Sequence, residues 1–362
     1  MEHRRTASPA FHAQRVITPD QAALPCYRRA IEDELAATAA LDDGQLADLR
    51  INHPDILAYR SRVLGNGAAG AGYAGWTDFL LDTYGPRRSC LSLGSGMGRV
   101  ESHLLARGFA PSFEAVELSP LANQNAAVRD DRIAALSGDL NFAKLPERRY
   151  DFILCHGILH HLINLEHVLH QIDRALTPEG VLLVYEYVGE DRWQFGEDRM
   201  ETLRRLVPGV SVRVPRRHQV RGFESVRSSE LPHLLRHQFG DTCERAADYG
   251  GVYFPFVVGA PEPAMARIGE VLAADERAAR ERLVRPCYHM GVYRKSGAAP
   301  LPARAWSDDE LRARLAPPTP VTRRALDELR RSPAGPTLRR VRRAVRGMVR
   351  TIQDDRGSEV AA

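Results

Sequence analysis

The chain has 362 residues, of which 44% are hydrophobic and 27% charged, with a formal net charge of +4. This length exceeds one ordinary domain, so a core of roughly 200 residues with appendages is expected, and the composition is that of an ordinary soluble globular protein. Cys26, Cys90, Cys155, Cys243 and Cys287 are scattered with no C-x-x-C pair, which argues against a zinc site, an iron–sulfur cluster or a disulfide framework and for a reducing compartment. Lys144 and Lys295 are the only lysines, a bias toward arginine more simply read as coding composition than as phosphate binding. The opening MEHRRTASPAFHAQ lacks the apolar run of a signal peptide, and no stretch approaches membrane-spanning length. A cytoplasmic protein is expected.

In chain order, residues 1–20 read as unstructured. From 25 to 62 the pattern is helical, with Ile31, Leu35, Leu41, Leu46 and Leu49 at mixed three- and four-residue steps. Residues 65–75 are rich in Gly and Ala and read as a linker. Residues 76–84 suit a helix leading into the first core strand. Then comes CLSLGSGMGRVE at 90–101. Its apolar run ends in Gly94, Gly96 and Gly98, and Val100, Leu104 and Leu105 follow on one helical face. Strand, glycine turn and helix bring a ligand against backbone N–H groups at a helix N-terminus. The spacing is GxGxG, and Arg99 stands where the dinucleotide fingerprint G-x-G-x-x-G/A has its last small residue. A nicotinamide-dependent oxidoreductase is therefore disfavoured.

A second strand ends in Glu117, whose carboxylate suits both ribose hydroxyls of a nucleoside. Asp139, in SGDLN, follows the third. Strands near 89–94, 113–118, 133–137, 151–156 and 181–187 alternate with helices, which implies a parallel sheet with right-handed crossovers. Ligands then sit at the carboxyl ends of the strands, where the glycine turn, Glu117 and Asp139 all fall. After the fourth strand come His156, His160, His161, His167 and His170. No set of histidines and carboxylates among them matches a known metal spacing, so no metal is expected, and a helix at 163–176 needs its apolar stripe. LTPEG at 176–180 reads as a turn before the fifth strand, which carries Glu186 and Tyr187 on opposite faces. Residues 191–240 look irregular before a short helix at 229–238. A strand near 243–249, a helix at 264–284 and a last strand at 288–295 close the sheet. The tail from 297 begins with linker composition and ends in TLRRVRRAVRGMVRTIQDD. There Leu338, Val341, Val345, Val349 and Ile352 share one face among arginines. A helix docked on the core or a partner and one lying on an anionic membrane both fit this pattern.

Taken together, LSLGSG at 91–96, GDLN at 138–141, HHL at 160–162 and EYVG at 186–189 resemble the class I S-adenosylmethionine-dependent methyltransferases over about residues 85–190. Ser92 departs from the wider family, many of whose members carry an acid there. The resemblance implies an α/β, Rossmann-like sheet of seven strands, mostly parallel with the last antiparallel. It also implies S-adenosylmethionine as cofactor, held by Gly94, Ser95, Gly96, Gly98, Glu117, Leu118, Asp139, Leu140 and Cys155. The expected domains are an N-terminal helical segment at 1–75, which is either a lid or plain packing, the methyltransferase domain at 76–296, and a tail at 297–362. The insertion at 191–240 is expected to build the acceptor pocket through Trp193, Phe195, Arg221, Phe223, Glu224 and Arg227, with Arg227 and Ser228 as candidates for an anionic group. O-methylation of a sugar, glycolipid or other small-molecule hydroxyl is expected, with His161 or His160 as base and Glu186 assisting. Glu186 has further readings: acting as the base itself, orienting His161, binding a sugar hydroxyl, or a structural role in pairing with Arg192 or capping a helix. No DNA target is expected. A homodimer, peripheral membrane contact through the tail, an RNA target and a non-catalytic scaffold remain open.

Overall fold

Nine strands form among the residues that the computed structural model describes, 14–40, 49–66, 76–215, 220–299 and 303–315, the central ones from short apolar runs bounded by turn residues. They are β1 (Gln14–Val16), β2 (Cys90–Leu93), β3 (Phe113–Glu117), β4 (Ile133–Ser137), β5 (Tyr150–His156), β6 (Leu176–Tyr187), β7 (Cys243–Tyr249), β8 (Tyr288–Arg294) and β9 (Ala303–Ala305). Seven of them form one sheet in the order β4-β3-β2-β5-β6-β8-β7. All neighbours run parallel except at β8, which is antiparallel to both β6 and β7. This is the mixed seven-stranded, Rossmann-like sheet expected from the sequence. The order reverses between β2 and β5, so a crevice opens beyond their carboxyl ends.

Every residue of β2 is buried, as a central parallel strand covered on both faces requires. On one face pack α2 (Pro54–Asn66), α3 (Trp76–Tyr84), α4 (Arg99–Ala106) and α5 (Pro120–Arg129), with Tyr59, Leu80, Leu104 and Ala126 in the same core as Phe152 and Leu183. On the other face, α6 (Leu165–Ala175) and α8 (Leu231–Phe239) bury Leu169, Ile172 and Leu235 against Leu91, Ile153 and Val184. A third cluster joins the two ends of the described chain. Ile17 and Tyr27, the latter from α1 (Pro25–Ala39), pack with Phe223, Trp306 and Leu311, and β1 pairs in parallel with β9.

Several local expectations change. The stretch after β6 contains α7 (Glu197–Leu206), whose Met200 and Leu203 are buried. The helix expected at 264–284 is present as α10 (Ile268–Arg280), but a 3-10 segment at Glu262–Arg267 leads into it and an unexpected α9 (Tyr253–Gly259) precedes both. The segment 176–180 belongs to β6. Its ladder pairs Tyr150 with Leu176 and next Phe152 with Val181, so the extra residues bulge out of the sheet. Residues 303–315, expected as linker, hold β9 and α11 (Asp308–Leu315). The basic segment 337–355 and most of the Gly/Ala linker lie outside the described residues. Among the described residues no helix is long and apolar enough to cross a membrane.

Candidate active site

A cleft lies over the carboxyl ends of β2, β3 and β4. Gly94, Gly96, Glu117, Leu118, Asp139 and Leu140 form its floor, α1 contributes Ile31, Glu34, Leu35 and Thr38, and Ile158, His161 and Phe223 close the far side.

The glycines of the turn serve different ends. Gly94 has φ +66° and passes under Ile158, whose Cγ1 would lie 2.3 Å from an added Cβ. Gly96, at φ +52°, has nothing within 4 Å of that position, so the backbone is bare toward the cleft. Gly98 faces away from the cleft. It caps α4 at φ +70°, and a Cβ there would meet Ile133 Cδ1 at 2.8 Å, so its role is packing.

Glu117 stands at the end of β3. Its Oε2 accepts the Gly96 N–H at 3.0 Å and its Oε1 the Ser119 N–H at 2.9 Å. Asp139 accepts the Asn141 N–H at 2.9 Å and the Tyr27 hydroxyl at 2.6 Å, which ties α1 to the edge of the sheet. Ser95 Oγ, beside the turn, is buried without a hydrogen-bond partner. Cys155 is fully buried among Leu91, Leu93 and Val184, so it belongs to the core rather than to the cleft wall. The acid absent at Ser92 arrives from elsewhere, since the Ser92 hydroxyl donates to Glu101 Oε1 of α4 at 2.5 Å. Burial raises the Glu101 carboxyl to about 7, and the nearby Glu117 charge adds to the rise.

The histidines gather carboxylates. Glu186, fully buried, accepts the backbone N–H groups of Ile158 at 2.8 Å and Leu159 at 2.7 Å, and its Oε2 lies 2.7 Å from His160 Nδ1. It therefore shapes the loop after β5 and orients His160, and its burial removes it from sugar binding; Arg192 instead donates to the carbonyls of Gly222 and Glu224. His161 lies between Glu34 Oε2, 3.2 Å from Nδ1, and Glu224 Oε2, 3.4 Å from Nε2. Burial opposes its charge, but Glu224 and Glu34 overcome that and raise it to about 10. His161 is therefore protonated at neutral pH, and the role of neutral base read from the sequence does not fit its charge state. The two imidazoles in turn hold Glu224 below the usual carboxylate range, against its burial.

Of the insertion residues, Phe223 lines the cleft and Glu224 joins the histidines. Phe195 is buried and packs on Phe254, Trp193 packs edge-on against the same ring, and Arg221 is exposed. Arg227 is buried, donating to Glu166, Glu230 and the Ile163 carbonyl, and Ser228 is also buried. Neither is available to an anionic ligand. Glu34 and Tyr27 were not anticipated. They sit more than a hundred residues before their partners, and no local spacing announces them.

Residues 67–240 match a family model described as a methyltransferase domain. No curated protein matches the chain by sequence. Among solved structures, the chain is similar to an S-adenosylmethionine dependent methyltransferase from Mesorhizobium loti, with 18% identity over 62% of this chain and 98% of that one and a TM-score of 0.39. It is also similar to the N-methyltransferase NodS from Bradyrhizobium japonicum WM9 in complex with S-adenosyl-l-homocysteine, with 17% identity over 43% of this chain and 72% of that one and a TM-score of 0.33. The cleft suits the cofactor. Gly96 leaves the backbone open, Ser95 Oγ awaits a partner, and Glu117 and Asp139 stand at successive strand ends. By this match, residues 67–240 form a methyltransferase domain of the class I S-adenosylmethionine-dependent type, with S-adenosylmethionine as its cofactor.

Proposed function

We propose that the chain transfers a methyl group to a hydroxyl of a small-molecule, sugar or glycolipid acceptor. The observation that supports this most is the position of His161. It reaches the wall of the cleft floored by Gly96 and Glu117 while paired to Glu34 and Glu224.

Bound S-adenosylmethionine supplies an electrophilic methyl group. Glu117, with two acceptor oxygens at the end of β3, is suited to ribose hydroxyls, and the open backbone at Gly96 admits the ligand. The protein's remaining tasks are to align the acceptor oxygen, exclude water and remove the hydroxyl proton. Charged His161 donates a hydrogen bond that orients the oxygen. Glu224, kept ionised by its imidazole neighbours and by the Ser225 hydroxyl bonded to its Oε1, is the group that takes the proton. His160 stands behind it, its ring fixed by Glu186. Phe223, Ile31 and Leu35 supply the apolar wall that limits water.

The test is transfer of a labelled methyl group to a panel of hydroxyl, amine and carbon acceptors, with the methylated atom located by NMR. An O-methyl product is expected, with turnover falling by about 100-fold or more in Glu224→Gln while S-adenosylhomocysteine affinity is retained. Methylation at nitrogen or carbon, or unchanged turnover in that variant, would overturn the reading.

A further inference from the structure

The two adjacent histidines are arranged alike. His160 turns Nδ1 to Glu186 at 2.7 Å and Nε2 toward Glu224 Oε1 at 3.7 Å. His161 turns Nδ1 to Glu34 at 3.2 Å and Nε2 toward Glu224 Oε2 at 3.4 Å. Each ring thus has a carboxylate on one nitrogen and faces a shared carboxylate with the other. A carboxylate behind each imidazole is the usual support of metal-ligating histidines, because it fixes the ring and raises its basicity.

The spacings on the Glu224 side fit the same picture. At 3.4 and 3.7 Å they are long for hydrogen bonds. Two ligands bound about 2.1 Å from one ion at a near-tetrahedral angle lie about 3.4 Å apart. Ligand atoms of His160, His161 and Glu224 all fall within 4.8 Å of one another. His161 Nδ1 is buried and stands 3.2 Å from Glu34 without a hydrogen bond between them.

We propose that His160, His161 and Glu224 bind one divalent transition-metal ion of the zinc or manganese type, with Glu186 and Glu34 supporting the two rings. Two imidazoles and a carboxylate suit such ions and leave coordination positions free; an ion there displaces the proton that His161 otherwise holds, so the ion-bound site and the charged His161 described above are alternative states of one cluster. His161 lines the cleft, so a free position faces the acceptor side. The binding site stands on this geometry alone; only the use of a free position by an acceptor oxygen rests on the hydroxyl reading above. Sequence spacing gave no such set because Glu224 lies more than sixty residues beyond the histidine pair.

The test is titration of the full chain, stripped with chelator, with Zn²⁺ by calorimetry and with Co²⁺ by visible absorption. One ion per chain is expected, with ligand-field bands for Co²⁺. Affinity should fall at least about 10-fold in Glu224→Gln and in His161→Asn, and about 10- to 100-fold in Glu186→Gln, which keeps all three ligands but releases the His160 ring. Retained S-adenosylhomocysteine binding reports the fold of each variant. No bound ion in the unaltered chain overturns the proposal. So does unchanged affinity in both Glu224→Gln and His161→Asn, since the ion would then sit elsewhere. Metal binding is read without turnover, so a failed acceptor screen leaves this result intact.

Discussion

Replacing Glu101 with Gln should remove a falling limb from the pH dependence of stability. Glu101 is 2% exposed, and burial lifts its carboxyl from 4.5 to about 7, with the Ser92 hydroxyl acting in the opposite direction and the Glu117 charge in the same one. The folded state therefore holds this proton more tightly than the unfolded chain does. Stability contributed by the neutral carboxyl is present below the unfolded pKa and is lost as pH rises toward about 7, above which the loss is complete. The displacement corresponds to about 2–3 kcal/mol between about pH 5 and about pH 8. Gln has nearly the same shape, can still bond Ser92 and does not ionise. Urea unfolding of both proteins, followed by tryptophan fluorescence, should show the variant gaining on the unaltered chain by that amount over the interval. Other titrating groups cancel in the difference. A difference that stays constant with pH would show that Glu101 ionises normally, and the account of a buried neutral acid beneath the glycine turn would fail.

Gly94→Ala and Gly96→Ala should separate packing from ligand access. At Gly94 the new methyl meets Ile158 at 2.3 Å in a left-handed backbone, so unfolding stability should fall by about 2–4 kcal/mol. At Gly96 only the backbone strain applies, about 1–2 kcal/mol, while the methyl projects into the cleft, so S-adenosylhomocysteine affinity measured by calorimetry should drop at least about 10-fold. Equal stability losses would contradict the contacts described for the turn. Arg227→Met should destabilise the chain by about 3–5 kcal/mol, because it strands the buried Glu166 carboxylate, whose side chain is 7% exposed. Denaturant unfolding with a loss below about 1 kcal/mol would instead assign Arg227 a replaceable role.

The cofactor half of the site is legible in the sequence because it is local. The strand, the glycine turn and the acids at 117 and 139 each follow directly from a strand end, and a parallel sheet brings those ends to one edge whatever else the chain does. The acceptor half is not local. Glu34 reaches His161 from a helix more than a hundred residues earlier, and the choice between lid and packing for that helix had no sequence signal to decide it. His161 shows the limit for charge as well, since its protonation depends on two carboxylates that only tertiary structure assembles. Arg227 misleads in the opposite sense, because an arginine in an irregular stretch reads as a ligand contact until its acidic partners are found. Helix α7 escaped notice because its apolar positions, Met200, Leu203 and Leu206, are separated by charged residues that dilute the periodicity.

The pairing of β1 with β9 has a consequence for how the site comes into being. Tyr27 and Glu34, which hold Asp139 and His161, sit on a helix anchored through Ile17 and Gln21, and the Gln21 side chain donates to the Trp306 carbonyl at 2.7 Å. Contacts of such long sequence separation form late, after the intervening chain has been made and ordered. On the ribosome, the central sheet strands and the glycine turn are complete while residues beyond 300 are still unmade. The acceptor wall is therefore the last part of the cleft to close, and the nascent chain acquires a cofactor seat before it acquires a place for the molecule to be methylated.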